Sequence, residues 1–144
     1  MKFLDLFRPN WRHTDPAKRL TAVQLINDPL TLLNIVKNDT NPLVRIAAVR
    51  NLEAEHGALS EIACNDDDAR VRAAAMMRLS DNHPVLTIIA KSDADANVRE
   101  TATIRLSNPD VIADIANNDR HASVRIAAVM HLTPSVHHYS QKRC

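Results

Sequence analysis

An all-α fold of short stacked helical units is what this 144-residue chain predicts, and three observations carry the prediction. A run with one inner grammar recurs five times: RLTAVQLI from Arg19, VRIAAVRNL from Val44, VRAAAMMRL from Val71, VRETATIRL from Val98 and VRIAAVMHL from Val124. Anchored on Arg19, Arg45, Arg72, Arg99 and Arg125, the steps are 26, 27, 27 and 26 residues. A second apolar pattern at helical spacing lies between these runs. Finally, one Gly, two Phe, one Tyr and one Trp furnish a poor central core, whereas abundant Ala, Val, Leu and Ile suit small units that each bury a face against the next.

The elements follow in chain order. The N-terminal run MKFLDLFRPNW holds Phe3, Leu4, Leu6 and Phe7, but Asp5 and Arg8 interrupt it well short of a signal-peptide core or a membrane span. Residues 1–11 are read as a cap on the first repeat. The first helix of each later repeat is marked by Leu32, Ile35, Val36; Leu59, Ile62, Ala63; Leu86, Ile89, Ala90; and Ile112, Ile115, Ala116, the i, i+3, i+4 spacing of one helix face. An Asp follows each, at Asp39, Asp66, Asp93 and Asp119, six residues before the repeated Arg. A carboxylate there can accept from unpaired backbone N–H groups and meets the positive end of the helix dipole, so this Asp is expected to start the second helix. In that helix Val44, Ala48, Leu52 and Val71, Ala75, Leu79 recur at i, i+4, i+8 and are predicted core, the small Ala allowing close helix approach. Connectors NDP, EAEHG, DNHP and SNP break the chain between units. The repeats thus span 12–132 of a single domain 1–144. Residues 133–144 are too short and polar for another repeat. Three arrangements are open for that end: a tail folded back as a lid, a homodimer through the terminal repeat, or continuation as part of a longer protein.

The pairing of an Asp with an Arg six residues on, with Val just before the Arg, resembles the HEAT-like repeats. Four copies match, at Asp39/Val44/Arg45, Asp66/Val71/Arg72, Asp93/Val98/Arg99 and Asp119/Val124/Arg125; the first keeps only Arg19. Full HEAT units run to about 40 residues, so the chain is closer to the short bacterial HEAT-like class and to the leucine-rich repeat variant, whose LxxLAxD…VR pattern is similar. The resemblance implies a right-handed α-solenoid of about five two-helix repeats. It also implies that the Asp/Arg pairs form a structural ladder between adjacent turns, and that the first helix of each repeat is partly 3₁₀.

Several function classes find no support. Eighteen basic against seventeen acidic residues give a net charge of +1, so no overall field favours nucleic acid or an anionic membrane. Cys64 and Cys144 lack the spacing of a metal site or disulfide framework, and their scarcity fits a reducing cytoplasm. His13, His56, His83 and His121 fall in or near connectors; His131, His137 and His138 gather toward the end with Tyr139 and Cys144, but adjacent His residues do not face one ion from a regular helix. The run Asp66, Asp67, Asp68 lacks the alternating ligands and Gly of a calcium loop. No phosphate loop, paired nucleophile and base, or metal-ligand pair points to catalysis, and no cofactor is expected. The HEAT-like glycosylases and bilin lyases are enzymes, but only the repeats resemble them.

The positions one and five past the repeated Arg project away from the Val/Ala/Leu stripe. They hold Ile46 and Arg50, Ala73 and Met77, Glu100 and Ile104, Ile126 and Met130. An apolar inner surface of this kind, rimmed by Arg78, Arg105 and His131, suits docking of another protein, with Met adapting to varied partners. The expected partner-binding residues are therefore Ile46, Arg50, Met77, Arg78, Ile104, Arg105, Ile126 and Met130. The bland reading is that neighbouring repeats bury them. A nucleic-acid binder using the repeated Arg rows, in the manner of the HEAT-like glycosylases, is the alternative function.

Overall fold

The computed structural model describes residues 9–54 and 57–133. Among these residues the chain is all-α, with nine α-helices and no strand, and it divides into two compact units, Met1–Ser80 and Asp81–Cys144. The expected N-terminal cap lies mostly outside the described residues, as does the tail beyond Thr133, with His137, His138, Tyr139 and Cys144. No described helix is long and apolar enough to cross a membrane.

In the first unit a 3₁₀ turn, Asn10–Arg12, leads to α1 (Pro16–Val23), α2 (Pro29–Asn38), α3 (Pro42–Asn51), α4 (Ala58–Asn65) and α5 (Ala69–Met76). Helices α2 and α3 pack as a pair, as do α4 and α5, while α1 lies on α3 and α3 on α5. The second unit repeats the scheme with α6 (Pro84–Ser92), α7 (Ala96–Thr103), α8 (Pro109–Asn118) and α9 (Ala122–Leu132). Here α6 pairs with α7 and α8 with α9, and α7 also packs on α9. The short first helices α2, α4, α6 and α8 are α-helical, not partly 3₁₀. Three of them start on a Pro at the first turn, where a missing N–H costs nothing and the fixed φ suits the helix.

The helix starts differ from the expectation in one respect. Asp39, Asp66, Asp93 and Asp119 end the first helix, and the N-cap of the second stands two residues later, at Asn41, Asp68, Asp95 and His121. The reason is a relay of two caps. Asp39 Oδ1 accepts the N–H of Asn41 at 2.9 Å, and Asn41 Oδ1 accepts that of Leu43 at 2.9 Å. The same relay runs from Asp66 through Asp68 to Arg70, and from Asp93 through Asp95 to Asn97. The repeated Asp therefore fixes the turn before the helix through Oδ1, which at Asp39 and Asp66 also accepts, together with Oδ2, from a second partner.

The predicted core positions are inside, except for Ala116, which is half-buried. Leu32, Ile35 and Val36, Leu59, Ile62 and Ala63, and Leu86, Ile89 and Ala90 are buried, as are Val44, Ala48, Leu52, Val71, Ala75, Leu79, Val98, Ala102 and Leu106. Burying one such Leu stabilises the fold by roughly 1.5–3 kcal/mol. Ala48, Ala75 and Ala102 are fully enclosed, as close packing of the second helices requires.

Candidate interaction surface

The repeated Arg side chains bridge two repeats. Arg45 Nη1 donates to the carbonyl of Asp39, in its own repeat, at 3.0 Å, while its Nε and Nη2 grip the two carboxylate oxygens of Asp66, in the next, at 3.0 and 2.8 Å. Arg19 does the same, with Nη1 on the His13 carbonyl at 2.9 Å and a fork on Asp39 at 2.7 and 2.8 Å. In the second unit Arg99 binds the Asp93 carbonyl at 2.8 Å and forks onto Asp119 at 2.8 and 3.0 Å. Arg72 is buried, with Nη1 on the Asp66 carbonyl at 2.9 Å. Bidentate, charge-assisted pairs of this geometry satisfy groups that would otherwise be costly to bury.

Electrostatics agree with the geometry. The hydrogen bond from Arg99, against an opposing effect of burial, holds the Asp119 carboxyl below its ordinary value. At Asp39 burial pushes upward, but hydrogen bonds from Arg19 and Asn41 and the charges of Arg19 and Arg45 outweigh it, and the carboxyl is again lowered. The three paired guanidiniums are correspondingly raised by hydrogen bonding to Asp39, Asp66 and Asp119.

A second set of cross-repeat bonds uses the position six past the repeated Arg. Asn51 Nδ2 donates to the Val23 and Ile26 carbonyls at 2.8 and 3.3 Å, and Arg78 Nη2 to the Leu52 carbonyl at 2.8 Å. In the second unit His131 Nε2 meets the Leu106 carbonyl at 2.8 Å, and Arg105 Nε donates to Asp81 at 2.8 Å. Sequence reasoning missed this row because Asn, Arg, Arg and His share no identity, only the capacity to donate: Asn51, Arg78 and His131 reach carbonyls at or just past the end of the preceding second helix, and Arg105 the Asp81 carboxylate. Arg78 and Arg105, expected on the rim of a binding face, are thus held by the fold; Arg78 Nε is in addition buried with no hydrogen-bond partner.

The other expected contact residues divide by position. In the first unit Ile46 is half-buried, whereas Arg50 and Met77 are exposed. In the second unit Ile104, Ile126 and Met130 are 52, 59 and 69 % exposed, on helices whose Val98, Ala102, Val124 and Ala128 are buried. Ala73 and Glu100 are half-buried.

The last helix pair also exposes residues whose counterparts are enclosed. Four residues past the repeated Arg, Val49, Met76 and Thr103 are 0 % exposed, but Val129 is 50 % exposed. Leu132 is 37 % exposed where Leu52 is 1 %. A groove of about 400 Å³ opens here, lined by Ala116, Ala122, Arg125, Ile126, Val129 and Met130. Arg125 keeps the inward half of the ladder geometry, Nη1 to the Asp119 carbonyl at 2.9 Å, but its fork meets no carboxylate among the described residues.

Two larger grooves, of about 670 and 560 Å³, lie in the first unit around Asp39, Arg45 and Asp66 and around Trp11, Arg19 and Asp39. Ladder residues form part of their walls, and Arg12 stacks on Trp11 at 4.4 Å in the second. No group of three or more metal-ligating side chains occurs among the described residues. Set against family models, curated proteins and solved structures, the chain matches none.

Proposed function

We propose that the chain is a non-catalytic protein-interaction module: a right-handed α-solenoid of about five short HEAT-like repeats, at work in the cytoplasm, which docks a segment of another protein on the apolar row of its second helices. The observation that carries this reading is the exposure of Ile104, Ile126 and Met130 beside a fully buried core. Apolar side chains grouped on one surface favour a partner that removes them from water. Met77 and Arg50 are the corresponding exposed residues of the first unit.

The nucleic-acid alternative draws on Arg rows whose forks, at Arg19, Arg45 and Arg99, already hold carboxylates. No observation favours it over protein docking.

Ile104→Glu tests the reading. In affinity capture from the source cell, washed with nuclease and high salt, the wild type is expected to retain a protein that the variant loses, with unchanged circular dichroism. Equal retention by both chains removes the proposed row; retention of nuclease-sensitive material alone restores the Arg rows.

A further inference from the structure

The geometry points to the end of the second unit, formed by α8 and α9, as a stacking site for a helical repeat of another protein that brings an Asp carboxylate to Arg125. This site borders the lateral row and shares Ile126 and Met130 with it at the groove, but it does not include Ile104. Two independent observations define it. The first is apolar: Val129 and Leu132 are half-exposed at positions where every inner repeat described has an enclosed side chain, and Ala116 is part-exposed where Ala63 and Ala90 are fully covered. The second is electrostatic. Arg19, Arg45 and Arg99 each spend one donor on a carbonyl of their own repeat and the remaining fork on the Asp of the following one. Arg125 has made the first bond and offers the second. A planar guanidinium with one edge fixed and the other presented beside an apolar groove selects a carboxylate in a defined orientation.

The chemistry also bears on who supplies that carboxylate. Residues 134–144, PSVHHYSQKRC, contain no Asp or Glu side chain. A second copy stacked head to tail would bring its first repeat, in which His13 stands where later repeats have Asp. A second copy related by a two-fold axis would bring the same α8–α9 face, whose repeated Asp, Asp119, is already held by Arg99. The occupant that fits is a helix of another protein with the pattern seen before Asp39 and Asp66: apolar residues seven, four and three positions ahead of an Asp that terminates the helix. Its apolar face would cover Val129 and Leu132 while the Asp closes the fork.

The test titrates the full chain into a fluorescent two-repeat helical probe, designed on the Leu-x-x-Ile-Ala-x-x-Asp pattern of residues 59–66 and verified as helical by circular dichroism. A twin probe carries Asn at the Asp position. Saturable one-to-one binding is expected, weakened at least about tenfold by Arg125→Gln or by the Asn twin, with little further loss when both are combined, because they remove the same contact. Val129→Glu is expected to abolish binding, and Ile104→Glu to leave it unchanged, which separates this site from the lateral row. Each variant is checked for an unaltered melting profile, and Arg125→Lys, which keeps charge but loses the fork, should bind like Arg125→Gln. Absence of probe binding, binding indifferent to Arg125→Gln, or a wild-type dimer in sedimentation that Val129→Glu dissociates would each overturn the assignment, the last by giving the face to a second copy.

Discussion

Arg99 and Asp119 form a two-pronged ion pair, Nε to Oδ2 at 2.8 Å and Nη2 to Oδ1 at 3.0 Å, with the Arg99 side chain only 2 % exposed. The third guanidinium contact, Nη1 to the Asp93 carbonyl at 2.8 Å, ties the repeat that holds Arg99 to the pair. A charge so enclosed is stable only while its partner is present.

Removing one member of this pair should therefore cost more than removing both. Asp119→Ala leaves the Arg99 guanidinium buried without its counter-ion, and a loss of about 3–5 kcal/mol is expected from urea unfolding. Arg99→Met combined with Asp119→Leu trades the pair for apolar contacts and should lose clearly less than the two single losses together. Strictly additive losses would show that the pair carries no coupling.

Acid should weaken the same contacts. The Asp39 and Asp119 carboxyls are lowered in the folded chain from an ordinary value of 3.8. A depressed folded value means that the stabilisation is fully present above the unfolded value and is lost as pH falls through it toward the folded value. Melting temperature is expected to be nearly level from pH 7 to pH 5, as these two carboxylates see it, and to fall below about pH 4. Asp119→Asn should flatten that acid limb; an acid limb of unchanged slope would assign it to other carboxylates. Asp68, lowered to about 2 by its hydrogen bond and charge pairing with Arg70, has a solvent-exposed partner two residues away and should add little.

The second row of bonds can be probed at Asn51, whose Nδ2 reaches the Val23 carbonyl at 2.8 Å and the Ile26 carbonyl at 3.3 Å. Asn51→Ala should cost about 1–2 kcal/mol, the loss of a hydrogen bond to part-buried carbonyls. Asn51→Asp is expected to be worse than Ala, because it sets an acceptor against acceptors and a negative charge at the C-terminal end of α3. Thermal or urea unfolding of the two variants decides; an Asp variant as stable as Ala would mean that water already satisfies those carbonyls.

Much of the local structure was legible from residues a few positions apart. The i, i+3, i+4 sets of the first helices and the Val/Ala/Leu stripe of the second are buried as periodicity predicts, except for Ala116 and Leu132 in the last pair. The capping residue was placed two positions early, because the sequence shows an Asp beside a helix start but not that its oxygen takes the N–H of the residue that does the capping. Of the expected contact residues, Ile104, Ile126 and Met130 are exposed, while Arg78 and Arg105 are engaged with a carbonyl and with Asp81. Nothing in their identity distinguishes an Arg that faces solvent from one that ties down a neighbouring helix end.

By itself, then, the sequence determined that the described chain is all-α and which side chains form its core, since helical periodicity is a property of near neighbours and burial follows from it. Only the tertiary structure decided which Asp each Arg grips, 20 or 21 residues on, and which carbonyls Asn51 reaches, 25 and 28 residues back. It also decided that Val129 and the Arg125 fork lie open where their counterparts are closed. Those outcomes depend on how one helix pair is laid against the next, and a repeated residue carries no mark of whether a neighbour stands on its far side.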